Sequence, residues 1–232
     1  MAERTIHALH ASRSEGEKKS FSEAAGAFLG KYRIVILSAI GGLLVAALAI
    51  GIVNYVITQS HARGLEAVEE IAYTLENTEA DKLDAAVTGA LSSLEEYADG
   101  KSVVAVRANL LKADLFFRDK KYEEARVAWI AASEAQKKAY TAPTGWYNAA
   151  VCSEELGDIE SAAAYYEKAA AFENFALKTH TLFSLGRIKD ASGDYTGAAA
   201  QYQKLQDAYP DDSWTSLAIS RLIALRAEGK IQ

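Results

Sequence analysis

The sequence predicts an all-α chain: a single N-terminal transmembrane helix followed by a solenoid of stacked helical hairpins. Three observations predict it. Twenty consecutive uncharged residues, Ile34 to Val53 (IVILSAIGGLLVAALAIGIV), have no polar face. After them proline is confined to Pro143 and Pro210, alanine is abundant and β-branched runs are missing, a composition that favours helices throughout. Finally, three segments repeat in register: KKYEEARVAWIAAS, GDIESAAAYYEKAA and GDYTGAAAQYQKLQ.

The chain opens with a polar tail, residues 1–33. It carries Arg4, Arg13, Lys18, Lys19, Lys31 and Arg33 against Glu3, Glu15, Glu17 and Glu23, a net +2. Ser20-Phe21-Ser22-Glu23 reads as a helix start, after which Phe21, Ala24, Ala25, Phe28 and Leu29 share one face. That pattern suits a short helix lying on a membrane surface. The apolar run follows, with a span placed at 34–57. At ~1.5 Å per residue its twenty-residue core reaches roughly 30 Å, the thickness of a bilayer's hydrocarbon layer. Asn54 and Tyr55 stand where the span should meet the interface. Ser38, Gly42, Ala46, Ala47 and Gly51 are small residues at four-residue spacings, which would let another helix come close.

Basic residues set the orientation. Lys31 and Arg33 abut the span on its amino side, whereas Arg63 is alone on the carboxyl side nearby. The tail is therefore expected in the cytoplasm and the large domain outside it. An uncleaved anchor fits better than a cleaved leader, because the small-residue stretch Ala47-Leu48-Ala49 lies inside the apolar run rather than after it.

Residues 58–232 form the predicted solenoid, with units at about 60–100, 105–141, 142–177 and 178–212 and a capping helix at 213–228. In the first unit Leu65, Val68, Ile71, Ala72 and Leu75 make one stripe, and Leu83, Val87, Ala90, Leu91, Leu94 and Tyr97 a second. Thr78-Glu79-Ala80-Asp81 reads as a capping box between them, and Asp99-Gly100 as a stop. In the next three units Tyr122, Ile159 and Tyr195 share a position, at steps of 37 and 36 residues. Ala125, Ala162 and Ala198 follow three later, and Trp129, Tyr166 and Tyr202 four after that. Small residues there, with Ala113, Ala150 and Gly186 on the preceding helices, let paired helices approach, and the aromatics fill the space between hairpins. Asp119-Lys120-Lys121, Leu156-Gly157-Asp158 and Ser192-Gly193-Asp194 read as the turns, and Pro143 as a helix start. Trp214, Leu217, Ala218, Leu222 and Leu225 share the face of a closing lid.

These positions resemble the tetratricopeptide repeat, a helix–turn–helix unit of about 34 residues. Trp146, Ala149 and Ala150 match the family's tryptophan, leucine and glycine places, as do Leu182, Leu185 and Gly186 in the next unit, and Pro210 falls on the terminal proline. The first unit departs from the pattern at Asn109, Lys112 and Ala113, though Phe116 fits its aromatic place. The resemblance covers roughly residues 105–212. It implies a partner-binding groove lined by the first helix of each hairpin: Arg107, Leu110, Asp114, Phe117 and Arg118; then Tyr147, Val151, Glu154 and Glu155; then His180, Phe183, Arg187 and Asp190. Leu110, Tyr147 and Phe183 would form an apolar ladder for an extended or helical partner segment. Asp114, Val151 and Arg187 flank that ladder, which does not suit the carboxylate-clamp variety of the repeat.

Other function classes find no support. The chain carries net charge −6, and the part beyond the span −8, which argues against nucleic acid. Cys152 is the sole cysteine and stands without a nearby histidine, so it reads as a small core residue. His7, His10, His61 and His180 are scattered, and His7 with His10 lacks further ligands. No glycine-rich phosphate loop or nucleophile motif appears. No enzyme, cofactor, metal or small-molecule substrate is expected.

A short tail, one span and an exported repeat domain together resemble the YfgM-type envelope proteins, single-pass proteins of the bacterial inner membrane. That resemblance implies a periplasmic domain and a scaffold role ancillary to the protein-export channel and periplasmic chaperones. The tail segment FSEAAGAFLGKYR is similar in kind. The stretch YQKLQDAYPDDSWTSLAISRLIAL resembles repeats of an envelope group that includes outer-membrane assembly and cell-division coordinators. Two alternatives stay open: a structural subunit of a large envelope machine such as a flagellar collar, and an accessory regulator of a membrane enzyme.

Overall fold

The computed structural model describes the backbone of residues 2–232 and the side chains of residues 21–232. His7, His10 and Ser20 therefore have side chains outside the described residues. Among the described residues there is no strand. Helix α1 spans Ala2–Glu76, α2 Leu83–Ala98, α3 Val103–Arg118, α4 Tyr122–Ala135, α5 Ala142–Glu155, α6 Ile159–Ala170, α7 Lys178–Ala191, α8 Tyr195–Ala208 and α9 Ser213–Ala227. The chain divides into two units, Met1–Gln59 and Ser60–Gln232.

The described residues of the first unit lie within α1. Sequence reasoning starts a helix at Ser20, but α1 begins at Ala2 and passes through that segment unbroken. No proline interrupts residues 2–76, so Ser20 has no helix terminus to cap. The apolar run is exposed along its length, with Ile34 at 74% and Leu43 at 70%. It is long and apolar enough to cross a membrane.

In the second unit each helix from α2 onward packs on the next, and α7 also touches α9. The pairing α3–α4, α5–α6 and α7–α8 repeats one turn three times. The backbone N–H of Lys121 donates to Phe116 O at 2.9 Å, that of Asp158 to Ser153 O at 2.8 Å and that of Asp194 to Lys189 O at 2.8 Å. This is the six-to-one bond of a Schellman ending, which needs a left-handed residue just before the donor. Gly157 (φ 72°) and Gly193 (φ 84°) supply it in two hairpins. Lys120 takes the same conformation at φ 58° in the third, at a steric cost glycine avoids. The next helix is then capped by its own acid where one is present: Asp158 accepts from Ser161 N and Asp194 from Gly197 N.

Packing follows the repeat. Ala113, Ala150, Ala125, Ala162 and Ala198 are all fully buried, and a Cβ on Gly186 would meet the Tyr202 ring at 2.4 Å. Between these close approaches lie the buried rings of Trp129, Tyr166 and Tyr202. Val68, Ala90, Leu94, Val104, Ala108 and Leu115 join α1, α2 and α3 in one cluster. Ala198, Tyr202, Leu205, Ala218, Leu222 and Leu225 join α8 to α9.

Three local expectations are corrected. The capping box at Thr78 does not form: its hydroxyl donates to Thr74 O at 2.6 Å, and a 3-10 turn at Ala80–Lys82 intervenes before α2. Leu83 is 39% exposed at the start of α2, outside the stripe assigned to it. Leu217 is 51% exposed and points away from the lid face that Ala218, Leu222 and Leu225 form.

Candidate functional site

Helices α3, α5 and α7 are the first members of the three hairpins and carry the residues assigned to the groove. Leu110, Tyr147 and Phe183 are each half-buried. Leu110 packs against the clusters around Ala113 and Ala105, Tyr147 against those around Tyr166 and Trp146, and Phe183 against that around Tyr202. Each therefore offers an edge to solvent while its body holds a hairpin together. Val151 is likewise half-buried in the Tyr166 cluster, and Phe117 lies edge-on to Tyr122 with ring centroids 5.4 Å apart.

The polar groove residues are mostly paired, either with one another or with Glu69 and Arg221 outside the assigned set. Arg107 reaches Glu69 on α1 with both Nε and Nη2, at 2.5 and 2.9 Å. Glu154 accepts the Tyr166 hydroxyl at 2.6 Å and is ion-paired to Arg187. Asp190 accepts two bonds from Arg221 on α9, at 2.5 and 3.0 Å. Within α3, Arg118 meets Asp114 one turn away at 2.8 Å. Glu155 is exposed beyond the end of this network. The exposed pairs Arg107–Glu69 and Arg118–Asp114 contribute about 0–1 kcal/mol each to stability, whereas Glu154 and Asp190 are mostly buried against their arginines. Their larger consequence is that the charge on this face is largely neutralised from within, leaving apolar and aromatic edges as its main free chemistry.

The aromatic edges converge at one end. Tyr147 Oη is 2.8 Å from His180 Nδ1, and the His180 ring stacks on Trp214 at 4.0 Å between centroids. Phe183 is 5.2 Å from Trp214 and 5.8 Å from Tyr202. One cluster thus links α5, α7, α8 and α9. Sequence reasoning missed Trp214 here, taking it only as part of a lid, and missed Glu69 and Arg221 as partners. A usable signal exists: Tyr147–His180 and Glu154–Arg187 are 33 apart and Asp190–Arg221 31, each close to one repeat length.

Burial, reinforced by the nearby Arg187, holds His180 below the ordinary histidine value, with Glu154 opposing. The sign follows by linkage. A base whose folded-state pKa is lowered makes the unfolded state bind more protons, so stability falls as pH drops through the ordinary value of ~6.5. Stability measured by urea unfolding should therefore decline between pH 7 and pH 5. The decline should be smaller in His180→Gln, since the lowered carboxylates Glu69, Glu134, Asp158 and Glu228 act only at more acid pH. Identical pH slopes in the two proteins would refute the assignment.

Neither metal nor nucleophile chemistry emerges among the described residues. No group of three metal-ligating side chains comes together. Cys152 is fully buried, and that burial pushes its thiol up to about 11, so the reactive thiolate is suppressed. In α1, Ser38 donates back to Val35 O at 3.0 Å, Gly42 and Gly51 face open space, and Ala46 and Ala47 are exposed.

Three tetratricopeptide-repeat family models match this chain, over residues 83–140, 143–173 and 180–212. The chain is also similar to a TPR repeat-containing protein of Treponema pallidum (strain Nichols), at 35% identity over 117 residues. That alignment covers 50% of this chain and 49% of the relative, so the chain spans about half the length of the curated relative it matches.

Proposed function

We propose, from the premise that this chain is a tetratricopeptide-repeat protein, that it is a membrane-anchored scaffold holding protein partners on the face made by α3, α5 and α7. Repeats of this family generally mediate protein–protein contacts, and no catalytic family is indicated. The observation that carries the reading is the row of half-buried apolar edges, Leu110, Tyr147 and Phe183, framed by charges that already have partners. A surface of that kind suits an apolar stripe of a partner helix or strand better than an acidic or basic tail. The exposed apolar length of α1 supports insertion in lipid, with residues 34–57 as the span. Basic residues beside it support a cytoplasmic amino end and an exported repeat domain in a bacterial inner membrane. A position near the export channel and its chaperones is the finer form of this reading.

The test is affinity purification of the full chain in mild detergent, comparing three forms. One is unaltered. The second carries Leu110→Ser, Tyr147→Ser and Phe183→Ser. The third swaps the exposed pair by Asp114→Lys and Arg118→Glu, which keeps the fold even where the first set strains it. Loss of the same partners from both variants, with helicity retained, is the expected result. Undiminished capture by both would overturn the binding face. Export-channel subunits among the partners favour the finer reading, ring or motor proteins a structural subunit, and a single membrane enzyme an accessory role. Release of the full chain from vesicles by alkaline washing would overturn the anchor independently.

A further inference from the structure

A solenoid helix with nothing packed on its outer side normally turns charged side chains to water there. Helix α9 turns none. Its buried side is Thr215, Ala218, Leu222 and Leu225. Its outer side, centred on Ser220, is formed by Ser213, Ser216, Leu217, Ile223, Ala224 and Ala227. Leu217 is 51% exposed and Ile223 60%. No charge interrupts this side: Arg221 is drawn sideways to Asp190 and Glu228, and Arg226 toward the Gln232 carbonyl. The hydroxyl of Ser220 donates to Ser216 O at 2.9 Å within its own helix, so drying the centre of this side strands no hydroxyl proton at Ser220.

The order of residues on that side pairs side chains of like size from either end. Counting outward from Ser220, Leu217 is matched by Ile223, Ser216 by Ala224 and Ser213 by Ala227. We propose that two copies of this chain associate through their α9 helices, antiparallel and two-fold symmetric about Ser220. In that arrangement small residues meet small residues, and each Leu217 meets the other copy's Ile223. The ends differ in net charge as well. Asp211 and Asp212 stand at the amino end of α9, and Arg226, Glu228 and Lys230 at its carboxyl end, so antiparallel pairing sets two negative charges against a net positive charge of one. The helix dipoles then oppose favourably, whereas parallel pairing would set like ends together. One helix pair of this length buries less than the ~1,200 Å² of a standard stable interface, so the dimer is a weak, reversible one. The contact involves no residue of the partner-binding face and does not depend on it.

Cysteine trapping of the full chain in mild detergent tests the geometry, because Cys152 is buried and leaves a silent background. Ser220→Cys should form a disulfide-linked dimer on gentle oxidation. Ser213→Cys mixed with Ala227→Cys should form the heterodimer, while Ser213→Cys alone should stay monomeric, as should Glu160→Cys on the exposed start of α6. In sedimentation the unaltered chain should show a concentration-dependent dimer that Ser220→Glu abolishes, with thermal unfolding unchanged. A monomeric Ser220→Cys, or a Ser213→Cys that links to itself as readily, would overturn the proposal.

Discussion

Replacing Trp129 by alanine is expected to destabilise the repeat domain by about 3–5 kcal/mol, the range for deleting a buried tryptophan. Its ring lies in a cluster with Ala113 on α3, Ala125 and Ala128 on α4, and Ala149 and Cys152 on α5. It is thus the filler between two hairpins as well as within one. The alanines around it are already small, so little can collapse into the void. Trp129→Phe separates packing from polarity. The Nε1 of Trp129 is buried and has no hydrogen-bond partner. Phenylalanine therefore breaks no bond and removes an unsatisfied donor, so its cost should stay within about 1–2 kcal/mol. Because stability in a repeat array is carried by neighbour interfaces, hydrogen exchange should show α3 and α4 losing protection ahead of α7 and α8 in Trp129→Ala. A loss below about 1 kcal/mol in urea unfolding of the full chain would mean that the ring is not the inter-hairpin filler.

Much of this architecture is legible from residue spacing because the repeat imposes the same steric demand several times. Ala125, Ala162 and Ala198 are small for one reason, and all three are fully buried. Trp129, Tyr166 and Tyr202 are large for the complementary reason. Where a feature occurs once, the reading weakens. Helix α9 scatters polar and apolar residues around its axis, so periodicity could not orient it, and the stripe reading puts Leu217 on the buried face although it is half-exposed. Thr78 has the right neighbours for a capping box, but its hydroxyl is already held by the last turn of α1. The candidate face divides in the same way. Its residues follow from repeat position, whereas their partners, Glu69, Trp214 and Arg221, come from other hairpins that no local window contains. Gly145 escaped notice altogether, because the demand on it comes from a helix in the preceding hairpin.

Gly145→Ala carries the second large effect, and its sign is informative. Propensity alone predicts a gain of about 1 kcal/mol, since glycine is a poor residue inside a helix. The surroundings predict the opposite. A Cβ at Gly145 would lie 2.1 Å from Ser133 Oγ and 2.6 Å from the Trp129 carbonyl oxygen, both on α4. The Ser133 hydroxyl is buried and bonded to Trp129 O and Ala142 O at 3.2 and 2.8 Å. It can turn aside only by giving up those bonds, and the carbonyl, being backbone, cannot turn at all. Helices α4 and α5 must therefore separate where Trp129 sits. Overpacking of about 1–3 kcal/mol together with about 1 kcal/mol for disturbed hydrogen bonds outweighs the propensity gain of about 1 kcal/mol, for a net loss of about 1–3 kcal/mol. Ser133→Ala should relieve part of this, because Ser133 Cβ stands at a tolerable 3.4 Å while the carbonyl clash persists. The double variant should thus be more stable than the two single losses summed predict, by about 1 kcal/mol. Strict additivity in a double-mutant cycle, or a gain in stability for Gly145→Ala alone, would show that α4 and α5 are not in contact at this point.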